Sequence, residues 1–180
     1  MRVITGTARG RKLLSPEGKD VRPTTEVTKE AIFSIIQFEL EGARVLDLFA
    51  GSGQLGIEAL SRGARSCTFV DAARASQELV RKNLESTGLG AGARVVPMDY
   101  IAFLNSTQET FDIALLDPPY GQKMIDAALP VLAGKMSESG VILCETDRRE
   151  ELPAAAGDFS VYRVYRYGKS LLTVYRRGEA

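Results

Sequence analysis

The chain has 180 residues, a formal net charge of zero, two cysteines and no histidine. That length suits one domain with a sizeable core, and the lack of histidine excludes Ser–His and Cys–His catalytic pairs and disfavours most catalytic zinc sites. No apolar run approaches the roughly 20 residues of a membrane span, and the opening Met1-Arg2-Val3-Ile4-Thr5-Gly6 turns polar and basic too early for a secretory leader, so a cytoplasmic location is expected.

The charge is unevenly spread. Residues 1–22 set Arg2, Arg9, Arg11, Lys12, Lys19 and Arg22 against Glu17 and Asp20, a net +4. Residues 160–180 set Arg163, Arg166, Lys169, Arg176 and Arg177 against Glu179, another +4. A basic rim on an acidic body suits a polyanionic partner, although such residues more often form ordinary solvated faces.

After the basic segment, Val27, Ala31, Ile32, Ile35 and Ile36 recur at helical spacing, with a threonine available as cap. From Gly42 onward, short apolar runs alternate with amphipathic stretches. The runs at 44–49, 66–70, 94–98, 111–116 and 141–144 predict strands. The stretches near 55–62, 75–86, 100–104 and 124–132 predict helices. This alternation predicts an α/β fold, a mostly parallel open sheet with helices on both faces. The β-rich runs 161–167 and 170–175, joined at Gly168-Lys169, predict an antiparallel hairpin at its edge. Cys67 and Cys144 lie inside apolar runs and read as small core residues.

Val45-Leu46-Asp47-Leu48-Phe49-Ala50-Gly51-Ser52-Gly53-Gln54-Leu55-Gly56 predicts a strand, a glycine loop and a helix start. In a doubly wound sheet that loop lies at the carboxyl ends of the strands, where ligands bind. Gly51, Gly53 and Gly56 satisfy G-x-G-x-x-G, and Asp71 follows Gly51 by 20 residues, so a dinucleotide site is one reading and a plain structural turn another. Asp47 separates them: a carboxylate just before the loop opposes a pyrophosphate and suits a cationic ligand. S-adenosylmethionine, which carries a sulfonium and an ammonium, fits that requirement. Asp47, Ala50, Gly51 and Gly53 are then candidate cofactor residues. Asp71 is placed to accept bonds from ribose hydroxyls, and Asp99 with Tyr100 to meet the adenine. Each acid alone is more often a turn residue or helix cap.

Asp117-Pro118-Pro119-Tyr120 directly follows the apolar run 111–116. In isolation, Asp-Pro-Pro is an ordinary turn. At the end of a fourth strand it suits transfer to an exocyclic amine, a poor nucleophile whose hydrogens need oriented acceptors. The Asp117 carboxylate and Pro118 carbonyl supply two, and the prolines hold the backbone rigid. Tyr120 is placed to stack on a base that has left its helix. No metal is needed, because the sulfonium is already activated and positioning carries much of the catalysis.

These blocks together resemble the bacterial 16S rRNA guanine-N2 methyltransferases of the small-subunit methyltransferase D family, nearly end to end. The resemblance is carried by Thr7-Ala8-Arg9-Gly10-Arg11-Lys12-Leu13, by Arg22-Pro23-Thr24-Thr25, by Lys29-Glu30-Ala31-Ile32-Phe33, by Leu46 to Gly53 running on to Ala64, by Asp117 to Tyr120 and by Tyr167-Gly168. It implies a Rossmann-like class I methyltransferase fold with a seven-stranded sheet. A small basic N-terminal hairpin extension over residues 1–25 would precede a methyltransferase domain over 26–180. The implied substrate is a guanine of 16S rRNA in an assembling or assembled 30S subunit. Arg9, Arg11, Lys12 and Arg22 become the candidate RNA contacts, and Arg22 to Thr25 would also border the cofactor. Two positions depart from the family pattern. Glu26 is followed by Val27 where a basic residue is usual, and Asp71 by Ala72-Ala73 where a second acid is common. Alternatives are a DNA adenine or other amino-group methyltransferase, a dinucleotide oxidoreductase and a catalytically idle RNA-binding factor.

Overall fold

A computed structural model describes residues 1–17 and 25–178. Five parallel strands form its centre: β1 (Arg44–Asp47), β2 (Ser66–Val70), β3 (Ala93–Val96), β4 (Phe111–Leu116) and β5 (Met136–Asp147). The edge is antiparallel, built from β6 (Ala155–Ala156), β7 (Phe159–Tyr167) and β8 (Ser170–Arg177). The sheet order is β3-β2-β1-β4-β5-β8-β7-β6. The expected seven strands are all present, and the eighth is the two-residue β6. Gly168-Lys169 joins the hairpin, whose first cross-strand pair is Tyr167 with Ser170.

The helices are α1 (Glu26–Ile35), α2 (Gln54–Ser61), α3 (Arg74–Thr87), α4 (Tyr100–Ser106) and α5 (Met124–Ala133). Thr25 caps α1 through its side chain, which accepts from the Thr28 N–H. Period-two alternation sorts each central strand between two cores. Val45, Ile113 and Leu115 pack with α1, α2 and α3, whereas Leu46, Ala114 and Leu116 pack with α4 and α5. Both cysteines are free and buried. No helix among the described residues is long and apolar enough to cross a membrane.

The N-terminal segment folds back on itself as a short hairpin: Arg2 and Lys12 form an antiparallel bridge, flanked by bonds from the Val3 N–H to the Arg11 carbonyl at 2.9 Å and from the Leu13 N–H to the Met1 carbonyl at 3.0 Å. Docking against the domain adds to its order. Val3, Ala8 and Leu13 are buried in the α1–α3 core, while Arg9, Arg11 and Lys12 are exposed. Gly6 adopts φ +92°, and a Cβ there would meet the Ser61 carbonyl oxygen at 1.8 Å, so only glycine fits against α2. Glu58, fully buried on α2, accepts the Ile4 and Thr5 N–H groups at 2.9 and 3.0 Å. It also meets Lys29 Nζ at 3.4 Å and Arg62 Nε at 3.0 Å. Burial lowers the Lys29 pKa, and Glu58 opposes that shift. α2 is therefore covered on both sides, by the sheet and by the N-terminal segment.

Candidate active site

β1 ends at Asp47, and the chain turns through a loop into α2. Gly51 stands at φ +57°, in the left-handed region that suits glycine. Its N–H donates to Asp71 Oδ2 at 2.9 Å, and the Ala50 N–H donates to the Val70 carbonyl at 3.0 Å. The loop is thereby laced to the end of β2. Asp71 Oδ1 accepts the Ala73 N–H at 2.9 Å, so the same carboxylate also shapes the entry to α3. Gly56 has a different reason to lack a side chain. A Cβ there would meet Phe69 Cε1 at 2.3 Å and Cys67 Sγ at 2.6 Å, so it lets α2 lie close on β2.

Asp47 is turned inward, behind the loop. It is 1% exposed, and its Oδ2 accepts the Gly56 N–H at 3.0 Å. Burial first, and the Asp71 charge last, push its pKa up to about 7, against the opposing Gly56 bond. This carboxylate braces the loop from behind, because the strand turns it toward the N-terminus of α2. Ala50 and Gly53 likewise belong to the loop's framework and not to the cavity wall.

A cavity of about 750 Å³ opens over the carboxyl ends of the parallel strands. Its walls include Gly51, Asp71, Asp99 and Tyr100 on the β1–β3 side, and Asp117, Pro118, Pro119 and Tyr120 at the end of β4. The structure thus brings together eight sequence-selected residues that span 70 positions of chain. Asp99 caps α4, its Oδ2 accepting the Ile101 and Ala102 N–H groups at 3.0 Å each, and still lines the cavity. Phe49 and Tyr100 meet with ring centroids 5.0 Å apart and give the same half an aromatic wall. Thr25 also lines the cavity; Arg22, Pro23 and Thr24 lie outside the described residues.

Pro16, Phe49, Thr28, Met98 and Glu145 line the cavity without having been selected. Glu145 carried a usable signal, since it directly follows the run 141–144, as Asp71, Asp99 and Asp117 follow strand-forming runs. It is 4% exposed, and its Oε1 accepts bonds from Tyr120 Oη at 3.3 Å and Ser170 Oγ at 3.0 Å. Tyr120 Oη and Ser170 Oγ are also 3.1 Å apart. The hydroxyl of Tyr120 is therefore held by β5 and β8, which fixes its ring at the cavity. Asn83, fully buried on α3, accepts the Leu14 N–H at 2.7 Å and donates to the Leu14 and Ser52 carbonyls at 3.0 and 2.9 Å. It ties the basic segment to the glycine loop.

The family described as Conserved hypothetical protein 95 matches residues 1–176. YlbH of Bacillus subtilis strain 168 is 41% identical over 98% of this chain and 99% of its own length. Ribosomal RNA small subunit methyltransferase D of Escherichia coli K12 is 33% identical over 98% of this chain and 90% of that protein. The solved structure of yhhF from Escherichia coli superposes with a TM-score of 0.85 at 32% identity, covering 98% of this chain and 97% of that one. The chain belongs to the small-subunit methyltransferase D family.

Proposed function

We propose that this protein transfers a methyl group from S-adenosylmethionine to the exocyclic N2 amine of a guanine in 16S rRNA. One observation carries the reading: a single cavity joins the acids ending β2 and β3 to Asp117-Pro118-Pro119-Tyr120 ending β4. The cavity's 750 Å³ suits a nucleoside-sized ligand beside a flipped base. Its aromatic and acidic β1–β3 half fits the adenosine of the cofactor, with Asp71 on the ribose, Asp99 and Tyr100 at the adenine, and Gly51 giving close backbone approach. Asp47, Ala50 and Gly53 act through the shape of that loop. S-adenosylmethionine, when bound, supplies an activated methyl group on a sulfonium.

The chain's own part is to position the amine. Asp117 accepts a hydrogen bond from one amine N–H and the Pro118 carbonyl from the other, which turns the nitrogen lone pair toward the methyl, and the amine releases one proton to solvent once it carries the methyl. Pro119 stiffens the turn, and Tyr120 stacks on the base. The Glu145–Ser170 tether keeps that ring in place. Residues 1–25 form a basic extension that contacts RNA through Arg9, Arg11, Lys12 and Arg22, ahead of the methyltransferase domain at 26–180. The partner is then the 30S subunit, assembling or assembled, in the cytoplasm. Support comes from the family and from the E. coli relative's name, which states small-subunit rRNA.

The test is methyl transfer to rRNA followed by nucleoside mapping. N2-methylguanine at one site is expected from the wild type, and Asp117→Ala should cut the rate on the order of 10²–10³-fold. Methyladenine in DNA as the product would favour the alternative acceptor. A wild-type rate in the variant would refute the role given to Asp117.

A further inference from the structure

The sheet order divides the cavity. Gly51, Asp71 and Asp99 belong to the β1–β3 half, and Asp117, Tyr120 and Glu145 to the β4–β5 half. Next outward from β5 comes β8, entered from β7 through Gly168-Lys169. Ser170, the first residue of β8, pairs with Asp147, and its hydroxyl holds both Tyr120 and Glu145. The Lys169 carbonyl accepts the Arg148 N–H at 3.1 Å, so the β7–β8 turn and the loop after β5 sit side by side. This rim is fastened directly to the acceptor half of the cavity.

It is also cationic. Arg148, Arg149, Arg166 and Lys169 are all exposed there. Arg149 pairs with Asp147 at 3.1 Å, whereas Arg148, Arg166 and Lys169 form no ion pair among the described residues. The nearby Glu150 accepts the Gly121 N–H at 3.0 Å, and Glu151 beside it is exposed. Farther along β8, by contrast, Arg176 and Arg177 are neutralised by Glu39 and Asp158 at 2.7 Å each. Cations without an ion-pair partner among the described residues therefore gather at the end of the hairpin nearest the acceptor half.

We propose that the β7–β8 turn and the loop after β5 form a second RNA contact, in which Arg148, Arg166 and Lys169 hold backbone phosphates next to the target nucleotide. This rests on the rRNA reading above. A base must leave its helix to reach Tyr120, and the backbone on either side of it must then cross the rim of the β4–β5 half. Exposed cations at that rim suit phosphates, with no need to read base edges. A phosphate held at Lys169 is one residue from the hydroxyl that anchors Tyr120, so docking and ring placement share a turn.

The test compares the wild type with the triple variant Arg148→Gln/Arg166→Gln/Lys169→Gln, using protein-free 16S rRNA over a range of salt. Affinity should fall roughly tenfold near 0.1 M salt, and the slope of log affinity against log salt should become shallower by about two, at ~0.7 per single-strand phosphate contact. Melting temperature and S-adenosylmethionine affinity should not move, because all three side chains are exposed and none lines the cavity. An unchanged slope in the variant, with the wild type methylating rRNA normally, overturns the proposal. So does a loss confined to assembled particles with protein-free RNA binding intact, which would assign the rim to a ribosomal protein. A wild type that methylates no rRNA overturns the substrate reading beneath it and this proposal with it, a failure visible without any variant.

Discussion

Asp47 shows how a sequence can single out one residue without showing what surrounds it. Its place at the end of β1 was legible, because a carboxylate breaking an apolar run stands out. Its direction was not, since the choice between the cavity and the α2 N-terminus depends on how the loop folds back. The structure gives it the Gly56 N–H and no place on the cavity wall. A pH dependence follows. The carboxyl has an ordinary pKa of 3.8 and sits at about 7 in the fold. Between those values the native state keeps a proton that the unfolded chain has released, so stability falls as pH rises from about 4 to 7 and levels off above that. The cost at neutral pH is on the order of 4 kcal/mol as an upper limit. Asp47→Asn keeps an oxygen acceptor for Gly56 and removes the titration. The variant should gain roughly 1–3 kcal/mol at pH 8 and less at pH 5, with cofactor affinity largely retained. Urea denaturation of both proteins at the two pH values measures this. An equal difference at both pH values, or a collapse of cofactor binding, would return Asp47 to a direct role at the ligand.

At the scale of elements, the strands and helices were readable because periodicity is local. The runs 66–70 and 111–116 match β2 and β4 residue for residue, and each predicted helix lies within two residues of the observed one. What could not be read was which helix is covered on both sides. α2 presents Gln54, Glu58 and Ser61, polar residues that a helical pattern assigns to solvent, yet every residue from Gln54 to Ser61 is buried. The cover is the N-terminal segment, whose bonds to Glu58 and Ser61 join residues 53 to 56 positions apart. No sequence window contains both partners. Glu58 is therefore the hinge of this arrangement, since it satisfies two backbone N–H groups and two cations at once. Glu58→Ala leaves Lys29 buried without its carboxylate, which should destabilise the protein by about 3–5 kcal/mol. The Ile4 and Thr5 amides should lose hydrogen-exchange protection before those of β1 and β4. Uniform loss of protection across the chain would mean that Glu58 supports the whole fold and not this segment in particular.

For the whole molecule, the proposed function makes the sheet order a division of labour: cofactor residues over β1–β3, acceptor residues over β4–β5, and cations at the margins of both. The acids at strand ends were legible from their repeated position after apolar runs. The tether of Tyr120 to Glu145 and Ser170 was not, because β8 reaches β5 only through the antiparallel edge. The N-terminal cations stand in a similar relation to the other half. Arg9, Arg11 and Lys12 are exposed and form no ion pair among the described residues, while the same segment is tied by Asn83 to the glycine loop. Two separate cationic surfaces should act additively on one polyanion, as distant sites without shared partners do. Alanine at Arg9, Arg11 and Lys12 should weaken rRNA binding and flatten its salt slope by about two, leaving cofactor affinity in place. Combined with the glutamine substitutions at Arg148, Arg166 and Lys169, the slope changes should sum to about four. Filter binding at four or five salt concentrations is enough to measure both sets and the combination. If the combined variant were no shallower than either set alone, the two surfaces would be contacting the same phosphates, and one continuous RNA path over the cavity would have to replace the two-sided grip.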